Sequence, residues 1–169
     1  MKKIFLALLY FLFITTQLLA QKGQASLSVG PLLSFPVAQY SNVSKVGYGA
    51  ELNGQYGISA KGDLAVRATV LHYTDDYAYD PLKLLNLQGG YRYQFGASGF
   101  YLNGLAGTEL DLSNGFATIV ITVGGGKRFT FNNGRQLDVG VDYLAGDIWV
   151  NALNLKAAIL LFKKQRVQE

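Results

Sequence analysis

Eight stretches of this chain alternate apolar and polar residues with a period of two, which commits them to β-strands whose two faces differ chemically. In 46–58, Val46, Tyr48, Ala50, Leu52, Tyr56 and Ile58 share one face, against Gly47, Gly49, Glu51, Asn53, Gln55 and Gly57. The pattern recurs with Leu64, Val66, Ala68 and Val70 against Asp63, Arg67 and Thr69. It recurs again with Leu85, Leu87, Tyr91, Tyr93 and Phe95 against Asn86, Gln88, Arg92 and Gln94. Further along, Ile119, Ile121 and Val123 oppose Thr118, Thr122 and Arg128, and Leu137, Val139, Val141 and Tyr143 oppose Gln136, Asp138 and Asp142. The last stretch sets Leu153, Leu155, Ala157, Ile159 and Leu161 against Asn154 and Lys156. Two stretches are less regular. Tyr101 and Leu105 blur the face carrying Asn103 and Glu109, and Pro31 interrupts 24–35, where a missing N–H predicts a bulge or an early end to pairing.

The connections read as short and long in strict turn. Short ones fall at 59–62, 96–99 and 131–134, longer ones near 36–45, 74–82, 111–115 and 146–148. Tight turns at one end and longer loops at the other are the signature of an up-and-down barrel across an outer membrane. Each stretch has the roughly ten residues that a tilted strand needs to cross a bilayer core. A soluble barrel would turn its apolar face inward; a membrane barrel turns it toward lipid.

The polar faces favour the second. Glu51, Asp63, Glu109, Asp138 and Asp142 are nearly balanced by Arg67, Arg92, Arg128 and Lys156, the composition of a narrow barrel interior packed with paired charges. Aromatics also gather at the strand ends: Tyr56, Tyr93, Phe95, Phe100, Phe129, Phe131 and Phe162 toward the tight turns, and Tyr40, Tyr48, Tyr73, Phe116, Tyr143 and Trp149 toward the loops. Two such rings are the girdles of a membrane interface.

Residues 1–20 read as a cleaved signal peptide, with Lys2 and Lys3 before an apolar run at 4–14 and a cut after Ala20. Residues 21–162 then form the barrel and 163–169 a polar tail. Without Lys2 and Lys3 the formal charge of +4 falls to about +2, too small and dispersed for nucleic-acid binding. The absence of cysteine excludes disulfides, thiolate metal sites and an acylated cysteine.

Several short motifs carry a resemblance: Ser28-Val29-Gly30-Pro31 with Phe35-Pro36, Gly47-Tyr48-Gly49, Pro81-Leu82 leading to Gly90-Tyr91-Arg92-Tyr93, Gly99-Phe100-Tyr101 and Leu137-Asp138-Val139. With these the chain resembles the small outer-membrane β-barrel proteins of Bacteroidota type, related in architecture to OmpX-like barrels. The resemblance implies an outer-membrane location with a periplasmic amino terminus, contact with outer-membrane lipid and handling by the barrel-assembly machinery. It supplies no catalytic residues.

The single histidine, His72, is the natural catalytic suspect because imidazole titrates near neutral pH. Parity turns it to the lipid side near the loop end, with Thr74, Asp75, Asp76 and Asp80 close in sequence. A lipid-modifying barrel enzyme is one alternative on this basis, although lipid A deacylases of eight strands carry His-x-Ser where this chain has His72-Tyr73-Thr74. A soluble periplasmic barrel holding an apolar ligand is another. The carboxylates of 75–80 match no EF-hand spacing. Gly124-Gly125-Gly126-Lys127 lacks the leading Gly and the trailing Ser or Thr of a phosphate loop, so these glycines read as space for large interior neighbours.

The expectation is therefore an all-β, eight-stranded antiparallel up-and-down transmembrane barrel, non-enzymatic, without cofactor or metal. Glu51, Arg67, Arg92, Glu109, Arg128, Asp138, Asp142 and Lys156 form its interior charge network. Its role is structural or one of surface interaction through the loops around Ser41 and Tyr77, with an external ligand that the sequence does not name.

Overall fold

In a computed structural model, which describes residues 23–37, 44–59, 61–75, 82–146 and 151–163, the eight stretches become strands of 11 to 14 residues. They are β1 (Ala25–Pro36), β2 (Ser44–Gly57), β3 (Gly62–Asp75), β4 (Leu82–Gln94), β5 (Phe100–Asp111), β6 (Ala117–Thr130), β7 (Gln136–Gly146) and β8 (Ala152–Lys163). Each pairs antiparallel with its sequence neighbour, and β1 pairs with β8, so the sheet closes on itself and no edge is left. The expectations for the signal segment, Tyr40, Ser41, Asp76, Tyr77, Asp80, Trp149 and the tail beyond Lys163 lie outside the described residues.

The faces are inverted relative to a soluble barrel. Val66, Ile119 and Val123 point outward and are more than 60% exposed, whereas Glu51, Arg67, Arg92, Asp142 and Lys156 point inward and are buried. That overturns the soluble-barrel alternative, because the apolar face is the exterior and the charged face is the interior. Such an exterior belongs in the hydrocarbon of a bilayer, and a closed eight-stranded antiparallel barrel of this kind is a bacterial outer-membrane form.

Three sequence expectations are corrected. The strict alternation of connection lengths holds only in the first half: strands are separated at 37–43, 58–61 and 76–81, but then by 95–99, 112–116, 131–135 and 147–151, each of five residues. Pro31 does not end its strand. It keeps register with Ala50 on β2, while the ladder to β8 skips Gly30 and Pro31 and resumes at Leu32–Lys156 in the same register as Val29–Ile159; the register shift lies between Leu27 and Ser28. A proline sits there because its absent N–H is asked of one neighbouring strand only. Tyr73 is not part of an aromatic girdle: it is inward and buried, its hydroxyl 2.6 Å from Ser34 Oγ.

The other described girdle aromatics face out. Tyr93, Phe95, Phe100, Phe129, Phe131 and Phe162 are exposed at the tight-turn end, and Tyr48, Phe116 and Tyr143 at the loop end. The turns themselves use glycine where the backbone goes left-handed, at Gly99 (φ 76°) after the 3-10 turn Gly96–Ser98 and at Gly134 (φ 79°).

Candidate functional site: the lumen

The inward side chains of β2, β3, β7 and β8 meet near mid-barrel. Asp142 on β7 is the hub. It accepts hydrogen bonds from Arg67 Nη1 on β3 (2.7 Å), from Lys156 Nζ on β8 (2.5 Å) and, on its other oxygen, from Asn103 Nδ2 on β5 (3.3 Å). Glu51 on β2 stands behind both cations, with Oε2 3.5 Å from Arg67 Nε and 3.9 Å from Lys156 Nζ. Two carboxylates and two cations thus share one buried site. Pairing is what makes such charges tolerable in a low-dielectric interior.

A second cluster lies toward the tight turns. Asp138 on β7 takes Arg128 in a fork, Nε at 2.7 Å and Nη2 at 2.8 Å, and also takes Arg92 Nη1 at 2.8 Å. Arg128 and Asp138 face each other in register across the β6–β7 pair, so the fork is set by strand pairing itself. Arg128 Nη2 also donates to Gln55 Oε1 at 2.9 Å. The Arg92 guanidinium lies 3.8 Å from the centroid of the Tyr101 ring. Nearby, Gln94 donates to Asp63.

Space for these large side chains comes from glycine. A Cβ on Gly124 would stand 2.0 Å from Asp142 Oδ1, one on Gly126 2.5 Å from the Tyr101 hydroxyl, and one on Gly140 2.8 Å from that hydroxyl and 3.0 Å from Lys156 Cε. The glycine run is therefore the mould for the hub carboxylate and the Arg92–Tyr101 stack.

Glu109, the remaining residue of the expected network, is set apart. Among the described residues it makes no ion pair; it lies in register with Asn86 and Thr118, and its Oε1 has no hydrogen-bond partner. Beyond it the lumen turns apolar: Leu32, Leu71, Tyr73, Leu84 and Ala152 pack together at the loop end, with Val120 and Leu144 also buried. This plug escaped the sequence reading because both faces of the strands are apolar there. Tyr101 escaped too, although its parity with Asn103 and Glu109 carries the signal. Removing the Tyr73 hydroxyl tests the plug: Tyr73→Phe leaves Ser34 Oγ without that partner and lowers unfolding free energy by about 1 kcal/mol in a denaturant titration. No change would mean that the bond is not formed.

His72 is outward at the loop end. Its ring centroid is 5.1 Å from that of Tyr48, and it lies in register with Tyr48 on β2 and Lys83 on β4. Among the described residues no group of three or more metal-ligating side chains comes together.

The family model described as a putative MetA-pathway of phenol degradation matches residues 3–145. Among solved structures, the chain is similar to Ail, the attachment invasion locus protein of Yersinia pestis, with a TM-score of 0.54 and 14% identity over 83% of this chain and 97% of that one. It is similar to the same outer membrane protein in a phospholipid bilayer nanodisc, with a TM-score of 0.54 and 16% identity over 82% of this chain and 99% of that one. Neisserial surface protein A gives a TM-score of 0.57 and 17% identity over 83% of this chain and 96% of its own. At such identities the likeness is one of fold. No curated protein sequence matches.

Proposed function

The chain belongs to that phenol-degradation family, and we propose that it is a non-enzymatic outer-membrane barrel with a sealed lumen, acting as a structural or surface-interaction protein. The observation that carries this reading is the lumen, where the Asp142 hub, the Arg92–Tyr101 stack and the Leu71–Leu84 plug occupy successive levels. An eight-stranded barrel is only wide enough for its own side chains. Eight strands also bring the start of β1 and the end of β8 to one side, with the tight turns; we place that side in the periplasm and the loops around Ser41 and Tyr77 outside. Handling by the barrel-assembly machinery follows from this location. The kinship with Bacteroidota-type small barrels rests on the sequence motifs.

At His72, strand pairing sets Tyr48 and Lys83 in register on either side of the imidazole. The family's description favours a second reading, a conduit for a small aromatic compound, which would require the lumen to open. Planar-bilayer recording decides between the two. The refolded wild-type barrel should give no steady current, and an ohmic conductance of uniform unit size would overturn the sealed-lumen reading.

A further inference from the structure

The lipid-facing wall is not uniform. Across β2–β5 the bulky belt gives way to Gly54, Ala68, Gly89 and Ala106, which floor an outward apolar groove of about 530 Å³ walled by Leu52 and Leu87. The strand registers place these positions side by side, with the outward Val66 standing between the two glycines: Gly54 pairs with Val66, Val66 with Gly89 and Gly89 with Ala106. A Cβ on Gly89 would meet only one atom, 4.0 Å away, and one on the neighbouring Gly104 nothing within 4 Å. These glycines are therefore not required by packing inside the protein.

Directly along the same two strands, on the loop side, lie His72 and Lys83. His72 follows Ala68 by four residues on β3, and Lys83 precedes Leu87 by four on β4, about 13 Å along each strand. Val70 and Leu85, also in register, form the apolar wall between. Among the described strand side chains that face outward, Lys83 and Lys127 are the charged ones and no carboxylate accompanies them; Lys127 lies at the opposite end, its Nζ 4.8 Å from the Phe100 ring centroid.

We propose that this wall binds one phosphorylated, multiply acylated glycolipid of the outer leaflet. Lys83 and His72 face its phosphate, and the Gly54–Gly89 groove receives an acyl chain. The argument is one of complementarity: the outward cation Lys83 at headgroup level above an apolar groove at hydrocarbon level. It rests on the outer-membrane reading given above.

Native mass spectrometry of the folded barrel in non-ionic detergent tests it, with bisphosphorylated lipid A, phosphatidylglycerol and phosphatidylcholine as probes. Wild type should retain one lipid A in preference to either phospholipid. Lys83→Ala should lower its occupancy about fivefold, with a further loss on adding His72→Ala. Gly89→Leu, which fills the groove without an internal clash, should also lower it, whereas Lys127→Ala should leave it unchanged. Equal retention of any of the three lipids, or an equal effect of Lys127→Ala, would overturn the site. Heat-modifiable migration of each sample reads barrel folding separately, so failure of the membrane-barrel reading is distinguishable from failure of the lipid site.

Discussion

Asp142→Ala lowers the unfolding free energy by about 3–5 kcal/mol, because it leaves Arg67 and Lys156 buried with one distant carboxylate between them. In the intact barrel both cations reach Asp142 within 2.7 Å, and the aspartate is fully buried. Glu51, at 3.5 and 3.9 Å, does not replace it. Denaturant titration of the refolded barrel in lipid vesicles reads the loss, with Lys61→Ala as an exposed control expected within about 0.5 kcal/mol of wild type. Asp142→Asn, which keeps the shape but not the charge, should fall between the two. Equal midpoints for Asp142→Ala and Lys61→Ala would refute a structural role for the network.

Gly124→Val has an effect of similar size from a different cause. Even its Cβ would stand 2.0 Å from Asp142 Oδ1 and 2.5 Å from the Val141 carbonyl oxygen, so the β7 backbone itself has to move. Overpacking usually costs about 1–3 kcal/mol, and a clash with backbone lies at or above the top of that range. We expect loss of heat-modifiable migration in most of the protein. Gly104→Ala, on the open outer face, should migrate as wild type. Similar behaviour of the two variants would show that interior glycine is not making room for the hub.

Much of the barrel is legible in the sequence wherever the two faces of a strand differ in chemistry. On β3, Val66 and Val70 against Arg67 and Thr69 leave no doubt about direction, and the same holds for β7 with Val139 and Val141 against Asp138 and Asp142. Contrast vanishes where both faces are apolar, which is why Leu71 and Leu84 receive no face from the sequence and Tyr73 reads as a girdle aromatic, although all three form the plug. Partnership across the lumen is a separate matter. Arg67 and Asp142 are 75 residues apart and meet only through the tilt and shear of the closed sheet, quantities that alternation does not encode. Local pairing, by contrast, sets Arg128 opposite Asp138 ten residues on, across a turn of known position. Connection lengths proved weaker than face chemistry, since the second half of the barrel uses five residues at either end.

The hub also has a temporal meaning. Its contacts join β3 to β7 and β2 to β8, elements that become neighbours across the lumen only once β1 has met β8. Contacts of such long sequence separation form late, so they contribute little to the rate of closure and much to the barrier against reopening. Asp142 therefore acts as a latch on the β1–β8 seam, and its loss should be felt chiefly as faster unfolding. A barrel latched in this way owes its persistence to a slow rate of opening as well as to its equilibrium stability.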